Sequence, residues 1–198
     1  MYFVEGNIGT GKSTLLEILE TQGNRKVIYE PVSEWTSLTN ANGKNLLEEF
    51  YSDQERYAYT FQSIAFRTRM KNIKNSSLGD IVERSIFTDR NVFAKTCYEQ
   101  GKMNDIEWKD YCEWFDWLSE GVQPEGYIYL RADPQVSYER IRKRNRGGEE
   151  MIPFEYIEEL HNKHEKWLMN EKNVIILDAN KDFESDPTEF LSKLEVIQ

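Results

Sequence analysis

Five short apolar blocks punctuate the chain: MYFVE (1–5), KVIYE (26–30), GDIVERS (79–85), YIYLRA (127–132) and NVIILDA (173–179). Short, nearly continuous apolar runs are what strands covered on both faces require. Between them the apolar spacing lengthens to that of helices. KSTLLEILE (12–20) has helical periodicity, and a long helical pattern covers about 44–75. That pattern should break near Ser52–Asp53, where a capping side chain is available. Residues 88–120 predict two helices separated near Gly101–Asp105. Asp133–Pro134 opens a helix over 133–145, another covers 154–171, and a last one follows Asp186–Pro187. Residues 36–43 and the glycine-containing 146–153 are expected to be loops, and Pro31 stops the second strand from simply continuing. Strands alternating with helices predict an α/β fold with a five-stranded parallel sheet and helices on both faces.

Composition narrows this picture. The chain has 198 residues, enough for one such domain, expected to span 1–198. Apolar residues make up 39% of it, and five Trp, eleven Tyr and ten Phe can build a real core. The formal net charge of −10 argues against a nucleic-acid partner, because an acidic surface repels a phosphate backbone, so any basic site must be local. Cys97 and Cys112 lack the spacing of a zinc site and are expected to be free, buried thiols. His161 and His164 lie three apart on a helix without a third ligand nearby, and are read as solvated or structural. Glu5 interrupts an apolar start too short for a signal peptide, and no run approaches a membrane span. The expectation is a soluble, cytoplasmic protein.

The chemistry begins at GNIGTGKST (6–14), which has the Gly-x-x-x-x-Gly-Lys-Ser spacing of a phosphate-binding loop between a strand and a helix. Gly6, Gly9 and Gly11 let backbone approach phosphate oxygens, while Asn7, Ile8, Thr10 and Thr14 complete the loop. Lys12 can reach the β- and γ-phosphates, and Ser13 can offer its hydroxyl to Mg²⁺. A nucleoside triphosphate with its metal is expected here. Three classes then compete: a switch or motor NTPase, a kinase for a phosphorylated acceptor, and a kinase for a neutral alcohol. The switch reading is weak, because the chain has no D-x-x-G, and NKDF (180–183) has Phe where a guanine-reading Asp should stand.

Chemistry in open α/β sheets gathers at the carboxyl ends of strands. Glu30 and Glu83 end the second and third predicted strands, and Arg84 adjoins Glu83. A carboxylate near the γ-phosphate suits a hydroxyl acceptor, and the transferring phosphoryl needs cations. RIRKRNR (140–146) places five basic residues in seven positions, with Arg140 and Arg144 on one helix face. Such a run is commonly a solvated face. Beside a phosphate loop, and followed by Gly147–Gly148 as a hinge, it reads as phosphate contacts in a lid of about 140–152. Gln62 and Arg69 lie two helical turns apart on one side, and Asp89 and Phe93 also share a face. On spacing alone Phe93 reads as core, and Gln62 and Tyr51 as polar side chains facing solvent.

At this point the chain resembles the deoxynucleoside kinases. The matching stretches, in family order, are EGNIGTGKST, EPVSEW, YTFQ, ERSIFTDRNVFA, RIRKRNRGGEEMIPFEYIEELHNKHEKWL and DANKDF. The resemblance implies a P-loop kinase fold with a short lid, ATP as donor, Mg²⁺, and a homodimer through the helices at about 44–75 and 88–120. It implies Glu30 as base for the nucleoside 5′-hydroxyl, with Arg84 at that hydroxyl and the developing charge. Lys12 and Arg144 join them in the catalytic set, and Glu83 and Ser13 support the metal. Tyr51 and Glu149 would bind the sugar 3′-hydroxyl, Gln62 the base edge, and Phe93 the base ring. Arg140, Arg144 and Arg146 belong to the lid over the triphosphate, and Asp182 and Phe183 to the loop around the ATP base. Arg69 and Asp89 stand where cytosine and purine kinases carry an Arg–Asp pair, whereas thymidine-accepting members have smaller or apolar residues there. The expected substrate is deoxycytidine or a purine deoxynucleoside, with thymidine preference as the alternative. Thymidylate kinase is the more distant rival: its acceptor already bears a phosphate, which Glu30 would repel.

Overall fold

The computed structural model describes residues 1–197. Its five strands are β1 (Tyr2–Glu5), β2 (Val27–Ile28), β3 (Ile81–Glu83), β4 (Gly126–Arg131) and β5 (Val174–Asp178), all parallel in the order β2-β3-β1-β4-β5. Val4 lies opposite Glu83 on one side and Ile128 on the other, so β1 is central. From β1 the chain goes first to the edge strand β2, returns to β3 beside β1, then crosses to β4 and β5 on the other side. That reversal leaves a crevice beyond the carboxyl end of β1, where such sheets bind ligands.

Side chains alternate across the sheet, as period two demands. Phe3, Val82, Tyr127 and Tyr129 enter one layer, with Phe61 and Phe66. Val4, Ile81, Ile128 and Leu130 enter the other, with Leu15, Leu16 and Phe190. Helices α1 (Lys12–Thr21) and α10 (Thr188–Leu194) pack on the second layer, while α4 (Gln54–Lys74) and α7 (Asp105–Leu118) pack on the first. The predicted doubly covered α/β sheet is therefore what the chain forms.

Local chemistry explains most boundaries. The long helical pattern breaks into α3 (Leu46–Ser52) and α4, and the Asp53 side chain accepts the Arg56 N–H at the new start. Helix α8 (Pro134–Arg144) starts with Asp133 accepting the Gln135 N–H, and α9 is Phe154–Leu168. Several expectations need correction. β2 has two residues, so Glu30 lies beyond it rather than at its end. Pro31 does not merely stop a strand; it precedes α2 (Val32–Ser37), anchored by buried Trp35, and the expected loop is correspondingly shorter. The first helix of the 88–120 region starts earlier, at α5 (Ile86–Thr88), and runs through a π-helical segment, Asp89–Ala94, into α6 (Lys95–Glu99). Residues 140–144 are the end of α8, so of the expected lid only the part after Asn145 is loop, and it includes a 3₁₀ turn at Glu149–Met151. Cys97 is buried as expected, but Cys112 is only half-buried. No helix among the described residues is long and apolar enough to cross a membrane.

Candidate active site

The loop after β1 is shaped for anions. Gly6 has φ 140° and Gly9 φ 80°. A Cβ on Gly9 would stand 2.4 Å from the Ser137 carbonyl oxygen, and one on Gly6 2.6 Å from that of Leu130, so neither position admits a side chain. Asn7 braces the loop: its amide donates to the Ile157 carbonyl (2.8 Å) and its oxygen accepts the Ile8 N–H (2.8 Å). The Thr10 hydroxyl donates to the Asn7 carbonyl (3.1 Å). The Lys12 ammonium is buried and donates to the Asn7 and Gly6 carbonyls at 2.7 and 3.2 Å. Burial and the nearby Arg84 charge push its pKa down to about 7, so anionic phosphate oxygens would restore full protonation.

Ser13 donates to Glu83 Oε1 (2.8 Å), and Glu83 Oε2 accepts the Glu30 N–H (3.2 Å). No group of three or more His, Cys, Asp or Glu suited to a metal occurs among the described residues. A hydroxyl beside one carboxylate nevertheless fits Mg²⁺, which takes hard oxygen ligands and is commonly completed by substrate phosphates and water.

Four further side chains form one network, with Arg69, Arg84 and Asp89 buried and Glu30 partly exposed. Arg69 Nε donates to Asp89 Oδ2 (2.8 Å), and Arg69 Nη2 donates to Glu30 Oε1 (2.9 Å). Arg84 Nε reaches that same Glu30 oxygen at 3.2 Å. Burial alone would raise the Glu30 pKa, but the charges of Arg69, Arg84 and Lys12 overcome it and hold the carboxyl at about 2. Despite burial, Asp89 and Glu30 keep Arg69 protonated. Among the described residues, Arg69 Nη1 and Arg84 Nη1 are buried without a partner, unfilled donor capacity within the cavity walls. Arg84 has φ 62°, a left-handed conformation uncommon for a non-glycine residue and frequent at functional turns. Its guanidinium carbon lies 4.6 Å from the Phe93 ring centroid.

The network lines a cavity of about 380 Å³. Tyr51, Gln62, Phe93 and Glu149 also line it, together with Lys12, Ser13, Glu83, Arg144 and Arg146. Gln62 is buried, and its amide nitrogen has only Cys97 Sγ nearby, at 4.0 Å. Glu149 is held by Arg144 through bonds of 2.7 and 2.8 Å, with Arg146 at 3.6 Å. Burial raises the Tyr51 pKa, with help from Glu149 and Glu30.

A second opening meets the first at Gly9, Gly11, Thr14 and Arg144, and extends to Arg140 and Asp182. Here Arg140 donates to the carbonyls of Ala179 (2.7 Å) and Lys181 (3.4 Å), pinning the loop after β5 to α8. Asp182 accepts the Glu184 N–H (3.1 Å). Phe183 is buried, stacks on Phe190 with centroids 4.6 Å apart, and comes within 2.8 Å of where a Gly11 Cβ would be. Arg140 and Phe183 therefore have structural partners that the sequence did not reveal.

Other residues escaped sequence reading. Trp35 donates to Thr68 (2.9 Å), and the Arg69 guanidinium lies 5.5 Å from its ring centroid. Phe50 and Phe61 stack at 4.5 Å, and all three aromatics line the cavity. Glu5 is wholly buried and accepts the Ser85 N–H (2.8 Å) and the Thr88 hydroxyl, fixing the turn that follows Arg84.

A strand, glycine loop and helix holding a buried lysine, with an adjoining cleft rich in arginine and carboxylate, define a P-loop kinase fold. The chain belongs to the deoxynucleoside kinase family, whose family model matches residues 2–196. It is 40% identical to a probable deoxycytidine kinase of fowlpox virus (strain NVSL), over 90% of this chain and 77% of that protein. It is 37% identical to deoxycytidine kinase 2 of Gallus gallus, over 92% and 83%. It is 36% identical to the mitochondrial deoxyguanosine kinase of Xenopus laevis, over 92% and 82%. The protein is thus an ATP-using nucleoside kinase.

Proposed function

We propose that this chain is a single-domain enzyme that transfers the γ-phosphate of ATP to the 5′-hydroxyl of deoxycytidine or a purine deoxynucleoside. The observation that carries the reading is the Glu30–Arg69–Asp89 network with Arg84, set within the walls of an aromatic cavity that opens onto the phosphate loop. Glu30, held ionised, receives the 5′-hydroxyl. A carboxyl with a pKa of about 2 is a weak base. Its contribution is to orient the nucleophile, which a loose phosphoryl-transfer transition state needs more than proton removal. Arg84 and Arg144 stabilise the transferring charge, and Lys12 takes the phosphates. Bound Mg²⁺, held by Ser13 and Glu83, would neutralise phosphate charge. Tyr51 and Glu149 take the 3′-hydroxyl. ATP lies over Gly6–Thr14, with Arg140, Asp182 and Phe183 around its base and Arg146 in a lid over the triphosphate.

Base choice rests on Gln62, Arg69, Asp89 and Phe93. A glutamine amide reads a base edge through one donor and one acceptor site. The Arg69–Asp89 pair offers an acceptor to an exocyclic amine and occupies the space a thymine methyl would need. The names of the relatives, deoxycytidine and deoxyguanosine kinases, favour the same substrates. The ionised carboxylate of Glu30 disfavours a monophosphate acceptor. A homodimer through α4 and α7 is supported by Trp114 and Trp117, which are exposed on α7 beside buried Phe115. A cytoplasmic location fits this salvage role.

The test is steady-state phosphorylation of deoxycytidine, deoxyadenosine, deoxyguanosine and thymidine with Mg²⁺–ATP, beside Glu30→Gln. The expected result is transfer to the first three, reduced about 10²-fold or more in the variant. Preferred transfer to thymidine would overturn the base reading, and consumption of thymidine monophosphate instead would overturn the acceptor class.

A further inference from the structure

Arg69 comes from α4, Asp89 from the π segment and Glu30 from beyond β2. Among the described residues, Arg69 alone hydrogen-bonds both Asp89 and Glu30, at 2.8 and 2.9 Å. It does so through one rigid guanidinium plane, 3% exposed and packed over Trp35. Both Arg69 and Arg84 donate to Glu30 Oε1, and no protein group donates to Oε2 among the described residues. The carboxylate is therefore anchored by one oxygen, leaving the other free for an acceptor hydroxyl. Because the guanidinium is planar, displacing Asp89 must turn the plane and move the nitrogen that holds Glu30. A lysine ammonium has no such fork.

We propose that Arg69 is a positioning residue for phosphoryl transfer, which sets Glu30 for the acceptor hydroxyl and passes to it the fit of the base at Asp89. The inference rests on the reading above that Glu30 receives the 5′-hydroxyl. An ill-fitting base is then penalised in the chemical step as well as in binding. Discrimination by this route appears in kcat, whereas a pair that only reads the base would act through KM.

The experiment measures kcat and KM separately for Arg69→Met, Arg69→Lys and Asp89→Asn, at saturating Mg²⁺–ATP. The acceptor is whichever of the four nucleosides has the highest kcat/KM with the unmodified enzyme. Arg69→Met should lower kcat by about 10²-fold, the cost of misplacing a reacting group by roughly an ångström. Arg69→Lys should recover little of it. Asp89→Asn keeps the shape and the Glu30 contact but weakens the anchor, and should lower kcat by about 10-fold while raising KM. If Arg69→Met and Asp89→Asn raise KM with kcat unchanged, the inference is overturned. Should Arg69→Met fail to fold, as judged by its melting transition, the kcat of Asp89→Asn decides. Glu30→Gln separates the two levels. Undiminished turnover in that variant overturns the role of Glu30 itself. Lost turnover in Glu30→Gln beside full kcat in Arg69→Met overturns only the role given to Arg69.

Discussion

The two halves of the site are built on opposite plans. On the nucleoside side, Arg69 and Arg84 are 3% and 4% exposed and share a carboxylate with an oxygen to spare. On the donor side, Arg144 and Arg146 are 38% and 37% exposed at a helix end and in a glycine-bearing loop, and are paired with Glu149. Buried pairs in a packed wall have one arrangement, and moving them leaves an uncompensated charge. Half-exposed arginines beside Gly147–Gly148 can turn toward phosphate, and the buried Glu149 they release then needs another partner, such as a substrate hydroxyl. The contrast teaches where selectivity resides. On the function proposed above, the half that would tell one base from another is pre-organised, and the half that would grip a flexible triphosphate is left to close over it.

The largest effect should come from removing one arginine from each half. Arg84→Ala should lower kcat by about 10²–10³-fold at any ATP concentration, the usual loss for a pre-organised donor at developing charge. Arg144→Ala should act mainly on kcat/KM for ATP, by about 10–10²-fold, because its partner is gained on closure. Steady-state kinetics with both substrates varied separates the two. Equal losses of the same kinetic type would break the distinction.

A smaller, sharper effect concerns choice. Arg69→Met/Asp89→Ala should raise the thymidine-to-deoxycytidine ratio of kcat/KM by about 10²-fold, within the 1–3 kcal/mol that a methyl-sized change of pocket commands. By the inference drawn for Arg69, the same variant loses turnover on its best substrate. Arg144→Ala should leave that ratio unchanged, since the lid does not contact the base. A ratio that shifts with Arg144, or one that stays fixed in the double variant, would place selectivity elsewhere.

The same contrast governs what could be read from sequence. The phosphate loop GNIGTGKST was legible as a strand–loop–helix because its motif is contiguous and its spacing is its chemistry. The five strands were legible as apolar blocks, though β2 shrank to two residues where Pro31 turns the chain into α2. The cavity walls were not legible. Trp35, Phe50 and Phe61 have the periodicity of ordinary core, and only the packing of α2, α3 and α4 turns them toward a ligand space. Nor could spacing show that Arg69 grips Glu30, 39 residues away, or that Arg140 spends its donors on carbonyls. The π segment at Asp89–Ala94 defeats a periodicity of 3.6, because its register is set by the tertiary contacts that hold Asp89 against Arg69.

The smallest effect tests why the nucleoside half is rigid. His164, wholly buried on α9, stacks on Tyr129 at 6.4 Å and meets Phe93 edge-on at 6.1 Å. Its Nδ1 lies 2.7 Å from the Leu160 carbonyl, while Nε2 has no partner among the described residues. Burial, followed by the Arg84 charge, lowers its pKa well below 6.5. The folded state therefore holds the ring neutral, and the unfolded chain takes up a proton first. The resulting stability is fully present above pH 6.5 and is lost as pH falls from there toward the folded pKa. One such group removes about 1.4 kcal/mol of unfolding free energy between about pH 7.5 and 5.5. His164→Phe keeps a ring in the wall and should flatten that part of the pH profile by this amount, whatever it does to absolute stability. Urea unfolding of both proteins across this range measures the difference directly. Parallel profiles would mean that the ring takes up its proton without unfolding the wall, and that the nucleoside half is less rigid than its buried pairs imply.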